Sequence, residues 1–189
     1  SDIYHKSRIV YGIYQARKAI TKEDKCYLVE GYTDVMSLHE AGIENVVASS
    51  GTSLTYEQVR LIKRFTRNIT IIYDGDEAGI KASLRGTDIV LEEGMNVKIV
   101  LLPDGEDPDS FSRKVTNEEL RNYIKNQETD FIRFKTKLLL AETKNDPVKR
   151  VALIRDIVNS IAVIPETISR TIYIKECSTM MEVPEAVIY

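Results

Sequence analysis

The sequence contains no tryptophan, only two cysteines and no apolar run long enough to cross a membrane. A membrane-spanning helix needs about 18 or more consecutive apolar residues, and no apolar signal-peptide segment follows Ser1. Cys26 and Cys177 cannot build a zinc cluster by themselves, and nothing in the sequence indicates export. We therefore expect free thiols and a cytoplasmic protein without membrane contact.

The composition is otherwise that of a folded protein, with 43% hydrophobic and 29% charged residues among 189. A chain of this length can bury a core without disulfide bonds. Its net charge of −3 hides a regional split, with +3 over residues 1–25, −8 over 26–110 and +2 over 111–189. An acidic middle is not typical of a simple nucleic-acid-binding domain. It indicates either an ordinary acidic domain or a site whose carboxylates hold a cation.

Four short apolar runs predict the strands of a sheet. They are rich in β-branched residues and do not strictly alternate with polar ones, which is typical of strands buried on both faces of a parallel sheet. Segments with helical spacing separate them, so the connections are expected to be right-handed crossovers. The sequence therefore predicts an α/β fold with an open, mainly parallel, four-stranded sheet flanked by helices. The runs occupy residues 26–29, 45–49, 69–73 and 97–102.

The strand signal fades beyond residue 110, where helical patterns take over. We expect a lead-in amphipathic helix over residues 1–24, an α/β domain over 25–110 and a small helical bundle over 111–189. Thr55 and Thr116 are expected helix N-caps. The helices of the bundle are predicted over residues 118–125, 130–140, 147–164 and 165–177.

Acidic residues follow three of the four predicted strands. Ligands of open parallel sheets bind beyond the carboxyl ends of the strands, so these side chains should meet at one edge. Two carboxylates 4 Å apart repel by about 4 kcal/mol at an effective dielectric constant of 20. A hard cation such as Mg²⁺, which prefers oxygen ligands, would relieve that repulsion. Each motif alone could equally be a turn or a helix start, but all three at strand ends favour a cation site. The residues are Glu30, Asp34, Asp74, Asp76, Asp107 and Asp109.

These segments resemble the three acidic motifs of a TOPRIM domain. The matching residues are Glu30–Val35, Asp74–Gly79 and Asp107–Asp109. Within the proteins that share this domain, the finer similarity is to bacterial DNA primases, and it covers about residues 4–113. It is carried by the further segments Lys6–Gly12, Ala48–Thr55 and Leu102–Asp109.

The resemblance implies a TOPRIM-type fold and the core of an RNA polymerase that makes short primers on single-stranded DNA during bacterial replication. In that family the acidic residues bind Mg²⁺ or Mn²⁺, which holds the incoming nucleoside triphosphate. Asp74, Asp76 and Asp107 are the first metal-ligand candidates, followed by Asp109, with Glu30 as a ligand or proton-transfer group. Asp34 would bind through water or support the site. The expected catalytic set is Glu30, Asp74, Asp76 and Lys6.

Basic and aromatic residues supply candidates for nucleotide and template contacts. Four cations at i, i+3, i+4 and i+7 should share one helix face, which is either a solvated surface or a phosphate-contacting stripe. Two more follow Asp76 by one and two helical turns and could reach a metal-bound triphosphate, or guanosine tetraphosphate as an inhibitor. The motif match adds Lys6 and Arg8, and Tyr11 is a candidate for base stacking. The helical candidates are Arg60, Lys63, Arg64, Arg67, Lys81 and Arg85.

The resemblance also predicts parts that this sequence does not show. In the family a further α/β subdomain precedes the segment that matches Lys6–Gly12, and a zinc-binding module and a helicase-binding module flank the core. We therefore expect zinc and the replicative helicase to be bound through regions outside these 189 residues, which alone should make little primer. The alternatives are another TOPRIM enzyme, either a nuclease or topoisomerase-like, and a non-catalytic TOPRIM DNA-binding module. The intact acidic motifs argue against the last.

Overall fold

A computed structural model describes residues 8–51, 53–143 and 146–189. Its centre is one five-stranded sheet in the order β2-β1-β3-β4-β5. The strands are β1 (Cys26–Val29), β2 (Val46–Ala48), β3 (Asn68–Tyr73), β4 (Asn96–Leu101) and β5 (Thr129–Asp130).

The first four strands pair in parallel, as the sequence predicts. The fifth strand was missed, and the predicted sheet of four strands is corrected to five. β5 pairs antiparallel with β4 through two residue pairs, Lys98 with Asp130 and Ile99 with Thr129. Two residues are too few to show a strand periodicity, and Asp130 was instead assigned to the start of a helix.

Helices cover both faces of the sheet and continue into the C-terminal part of the chain. They are α1 (Ile13–Glu23), α2 (Tyr32–Glu40), α3 (Tyr56–Lys63), α4 (Glu77–Glu92), α5 (Pro108–Ser112), α6 (Asn117–Gln127), α7 (Phe131–Thr143), α8 (Pro147–Ala162), α9 (Thr167–Met181) and α10 (Glu185–Ile188). Thr55 and Thr116 each accept a hydrogen bond from the backbone N–H three residues on, so both predicted caps are confirmed. The lead-in helix begins later than expected, because Tyr11 pairs with Ala48 and Gly12 has a left-handed backbone (φ 80°).

Alternating strand residues divide the apolar core into two clusters. Ile71 belongs to the cluster packed against α1, α3, α4 and the C-terminal helices, whereas Ile72 belongs to the cluster under α2 and α6. β1, β2 and β3 therefore bury both of their faces, which explains why their sequences are apolar without alternation.

A buried lysine links the sheet layer to the C-terminal helices. Lys135 of α7 is 1% exposed, and its Nζ donates to Asp156 Oδ2 (2.9 Å) and Ser160 Oγ (2.6 Å) of α8. The Asp88 carboxylate of α4 lies 3.8 Å from the same Nζ. A lysine buried in this way is held by opposite charges on two different helices.

Candidate active site

The carboxyl edge of the sheet collects the acidic residues from separate loops. Glu30 directly follows β1 and Asp74 directly follows β3. Asp76 and Asp107 are the N-caps of α4 and α5, and Asp34 lies in the first turn of α2. The predicted convergence is supported by electrostatic coupling, since the charges of Glu30, Asp34, Asp76 and Asp107 all act on Asp74.

Asp74 is coupled to all four of these carboxylates. Its Oδ1 is buried and has no hydrogen-bond partner among the described residues. Burial, followed by the charges of Glu30, Asp34, Asp107 and Asp76, raises the pKa of Asp74 to about 7. A buried carboxylate oxygen without a partner is costly. A cation or a hydrogen-bond donor at this atom would therefore stabilise the site.

Two glycines allow the backbone after β3 to pass close to its neighbours. A Cβ at Gly75 would lie 1.9 Å from the Pro103 carbonyl oxygen, and one at Gly79 would lie 2.3 Å from the Asp74 carbonyl oxygen. The Gly75 N–H donates to the Glu106 carbonyl (2.8 Å), and the Gly105 N–H donates to the Gly75 carbonyl (2.8 Å). These contacts bring the loops after β3 and β4 together and thereby place Asp74 near Asp107.

Asp76 and Asp107 each use one carboxylate oxygen to cap a helix. Asp76 Oδ1 accepts from the Gly79 N–H (2.6 Å), and Asp107 Oδ1 accepts from the Ser110 N–H (2.7 Å). No protein donor to either Oδ2 is seen in the described part of the chain. The caps fix the orientation of both carboxylates and leave an oxygen of each for a ligand.

Glu30 and Asp34 form the β1 side of the site. Partial burial and the charges of Asp76 and Asp34 raise the pKa of Glu30. Burial also raises the pKa of Asp34, although its Oδ2 accepts from the Gly31 N–H (2.9 Å). Both groups therefore lie in an environment that favours a nearby cation or a bound proton.

Asp109 is held more firmly than the sequence suggested. Its Oδ1 accepts from Ser37 Oγ (2.6 Å) of α2, and its Oδ2 accepts from the Arg113 guanidinium (2.6 Å) one turn on. Sequence reasoning missed Ser37 and Arg113. The i,i+4 spacing of Asp109 and Arg113 could have revealed the second, whereas Ser37 is 72 residues away and left no signal.

Over residues 8–51, 53–143 and 146–189, no three His, Cys, Asp or Glu side chains lie close enough together to share one ion. The carboxylates thus approach one another without forming a closed protein cage. Mg²⁺ commonly takes one or two carboxylates and completes its shell with water and phosphate oxygens, and so does not require such a cage.

The structure locates three of the basic and aromatic candidates outside the predicted stripe of residues 60–67. Arg85 of α4 lines a cavity of about 280 Å³ together with Glu30 and Tyr73, so it lies beside the acidic edge as expected. Tyr11 is 40% exposed and lies beside Tyr32, with ring centroids 6.1 Å apart, and Arg8 is exposed on the same N-terminal segment. Lys6 and the side chain of Lys81 fall outside what the structure describes.

The predicted four-residue basic stripe is wrong as a helix face. α3 ends at Lys63, so Arg67 lies beyond the helix and Arg64 is its C-cap. Arg60 pairs with Glu93 (2.8 Å), and Lys63 Nζ donates to the Glu93 carbonyl (2.5 Å). Two of the four cations therefore join α3 to the end of α4.

Known proteins are similar in sequence to most of this chain. A family model described as Toprim-like matches residues 27–112. The DNA primase of Halalkalibacterium halodurans is 37% identical over 177 residues, which cover 93% of this chain and 30% of that protein. The chain belongs to the bacterial DNA primase family. It spans about a third of the length of its curated primase relatives.

Solved primase structures share the whole fold. The Aquifex aeolicus primase, with zinc-binding and RNA polymerase domains, matches all of this chain and 45% of its own at a TM-score of 0.84 and 33% identity. A primase catalytic domain bound to single-stranded DNA matches 95% of this chain and 59% of its own at a TM-score of 0.81 and 32% identity. The fold class predicted from sequence is confirmed apart from the strand count.

A second primase family model corrects one expectation. It is described as the DnaB-helicase binding domain of primase and matches residues 132–186. The resemblance to primases predicts helicase contact through regions outside this chain, because the C-terminal helices carry no short motif of their own. The match covers α7 to α9 and so lies inside the chain.

The described residues include no helix that is both long and apolar enough to span a membrane.

Proposed function

We propose that this chain forms the metal- and nucleotide-binding part of a primase that synthesises RNA primers on single-stranded DNA in the bacterial cytoplasm. The observation that carries the proposal is the buried, unpaired Oδ1 of Asp74 at the carboxyl edge of the sheet. Burial and the four neighbouring carboxylates raise the pKa of this carboxyl to about 7, which supports a site for a positively charged ligand.

The donor set fits Mg²⁺ or Mn²⁺. All candidate ligands are carboxylate oxygens, which hard divalent cations prefer. We assign direct metal contact to Asp74 and to the second oxygens of Asp76 and Asp107, with no more than two of these carboxylates on any one ion. Glu30 is assigned to proton transfer. Asp34 and Asp109 support the site in this proposal, since Asp34 already accepts from Gly31 and both oxygens of Asp109 have donors. Zinc belongs to a flanking module.

The reaction would be in-line attack of a ribose 3′-hydroxyl on the α-phosphate of a nucleoside triphosphate, with release of pyrophosphate. A bound divalent cation supplies Lewis-acid stabilisation of the phosphate charge. The role of the protein is to hold Asp76 and Asp107 rigidly through their helix caps. Glu30, whose pKa is raised, is placed to accept or return a proton at the same edge.

Nucleotide and template contacts are assigned to the basic residues around that edge. Arg85 lines a cavity with Glu30 and can reach a phosphate there. Lys81 joins it from its position one turn earlier in α4, and Lys6 and Arg8 join it on the strength of the motif match. Tyr11 offers an exposed ring for a base. Guanosine tetraphosphate, which carries similar phosphates, would compete for this place. The family neighbours make single-stranded DNA and the replicative helicase the expected macromolecular partners.

The experiment is primer synthesis by the full-length primase that contains these residues, with single-stranded DNA, ribonucleotides and Mg²⁺ or Mn²⁺. Asp74→Asn should reduce synthesis by on the order of 100-fold or more, because even outer-shell residues of metal sites cost about 10- to 100-fold. Glu118→Gln removes an exposed carboxylate of α6 and should leave the rate unchanged. DNA cleavage without primer synthesis would instead identify a TOPRIM nuclease.

A further inference from the structure

A second cavity lies on the side of the sheet opposite the acidic edge. Its volume is about 770 Å³, and it is bounded by α1, by the turn between α2 and β2, and by α6. Tyr27 at the start of β1 and Asn45 just before β2 contribute to its lining. This places it at the amino ends of the parallel strands, away from the proposed catalytic residues.

The lining of this cavity carries an excess of positive charge. Its five cations are Lys18, Lys22, Lys25, Arg121 and Lys125, and its three carboxylates are Glu23, Glu44 and Glu128. The charge of Glu128 is already compensated by protein groups. Its carboxylate pairs with Lys25, accepts from Thr70 Oγ1 (3.0 Å) and lies 3.7 Å from Lys98 Nζ. Its charge is therefore not available to cancel the cations at the rim.

Lys25 pairs with Glu128 and Lys22 Nζ lies 4.0 Å from Glu23, so three cations of the lining remain for a ligand. In the part of the chain that the structure describes, Lys18 of α1 and Lys125 of α6 form no ion pair, and both are exposed. Arg121 is held in place, because its guanidinium donates to the Ala41 carbonyl (2.5 Å) and lies over Gly42. That bond uses one of its nitrogens and leaves the others to point at an anion.

The lining also includes apolar and aromatic side chains. These are Ile43, Ile124 and the half-buried ring of Tyr27, over which Lys25 Nζ lies 4.9 Å from the ring centroid. Pockets of about 300–1,000 Å³ suit small organic ligands, and a lining that combines basic, apolar and aromatic groups suits a ring system that carries phosphates.

We propose that this cavity binds a nucleoside polyphosphate without a divalent metal, at a site separate from the acidic edge. The phosphates contact Lys18, Arg121 and Lys125, and the base packs against Ile43, Ile124 and Tyr27. Because the ligand is bound by cations of the protein, its binding should not require Mg²⁺. That independence distinguishes it from a nucleotide held through metals at Asp74.

The test is calorimetric titration of ATP in the presence of EDTA. Binding should persist, and Lys18→Glu with Lys125→Glu should weaken it by on the order of tenfold. Arg155→Glu with Lys175→Glu changes the net charge equally on exposed positions of α8 and α9 and should leave the affinity unchanged. Asp74→Asn should also leave it unchanged, so this result is independent of the proposed catalytic site.

Two results would overturn the proposal. One is the absence of ATP binding in EDTA, and the other is equal loss in both double variants. Tripolyphosphate and a thymidine oligonucleotide serve as further probes. If the oligonucleotide binds in EDTA and ATP does not, the basic rim is a nucleic-acid surface and the nucleotide site is rejected. Thermal melting of each variant shows whether the fold is retained.

Discussion

At Asp74, burial and four neighbouring carboxylates act in the same direction. Each disfavours the ionised carboxyl, and its buried Oδ1 receives no donor within the described residues. By contrast, the carboxylates of Asp76 and Asp107 accept hydrogen bonds as helix caps. The residue is therefore poised to gain from a cation more than its neighbours do.

The first prediction concerns metal-dependent stability. Saturating Mn²⁺ should raise the melting temperature by roughly 5–10 °C, because binding at 100 times the dissociation constant contributes about 2.7 kcal/mol and each kcal/mol moves Tm by about 2–4 °C. Asp74→Asn removes a ligand and a repelling charge together, so it should raise the metal-free Tm slightly and reduce the Mn²⁺ shift. Differential scanning calorimetry measures both. An equal Mn²⁺ shift in Asp74→Asn and Glu118→Gln would show that Asp74 is not a ligand.

The second prediction concerns pH in the metal-free protein. The folded pKa of Asp74 is about 7 and its ordinary value is 3.8, so its contribution to stability is fully present below pH 3.8 and is lost as pH rises to about 7. The partly solvated carboxyl should then cost about 1–2 kcal/mol, after solvent screening is allowed for. In EDTA, Tm of Asp74→Asn should exceed that of the unmodified protein by about 2–8 °C at pH 8. The difference should shrink toward pH 4, and a constant difference would contradict the pKa argument.

At the scale of elements, close backbone contacts decide how the acidic loops meet. α4 begins at Glu77, and its third residue, Gly79, packs directly on the Asp74 carbonyl. Helix α5, missed from the sequence because it is only five residues long, is what orients Asp107. The spacing of the motifs thus reflects a packing requirement as well as a chemical one.

The third prediction follows from that packing. In an ordinary helix, Gly→Ala stabilises by about 1 kcal/mol. Gly79→Ala should instead destabilise by about 2–3 kcal/mol, since the new Cβ would lie 2.3 Å from the Asp74 carbonyl oxygen and the backbone must move. Urea denaturation measures the change. Gly105→Ala is the control, because its Cβ meets no atom within 4 Å and only its positive φ (74°) costs about 1–2 kcal/mol.

Several elements could be predicted from local patterns, and the misses have physical causes. The four parallel strands and the caps at Thr55 and Thr116 are determined by β-branched runs and short-range hydrogen bonds. β5 depends on a pairing with β4 some 30 residues earlier, which leaves no trace in a two-residue segment. Likewise, the pairing of Arg60 with Glu93 is set by how α3 and α4 pack, so the helical spacing of the cations could not reveal it.

On the scale of the whole molecule, Lys135 connects the sheet layer to the helices matched by the helicase-binding family model. It reaches Asp88 on one side and Asp156 with Ser160 on the other. The predicted boundary near residue 110 stays a prediction, and residues 111–130 supply α6 and β5, which pack on or join the sheet.

The fourth prediction tests this connection. Lys135→Met should destabilise the protein by about 2–3 kcal/mol, at the low end for a broken buried pair because both aspartates are partly solvated. Relative to the unmodified protein, the variant should show hydrogen exchange that is accelerated more in α7 and α8 than in β3. Lys137→Met alters an exposed position of the same helix and should change neither stability nor exchange. Uniform acceleration across the sheet and helices would mean that Lys135 does not link two separable parts.

The two outer strands of the sheet have a consequence for self-association. β2 has three residues, and its outer side is bridged by Tyr11, whose N–H and carbonyl both bond to Ala48. β5 has two residues and runs against the direction of the rest. An exposed strand edge templates pairing with another chain, and short or covered edges suppress it. Growth of this sheet into intermolecular fibrils is therefore blocked at both ends, although its interior strands are the kind of apolar, β-branched segments that aggregate when uncovered.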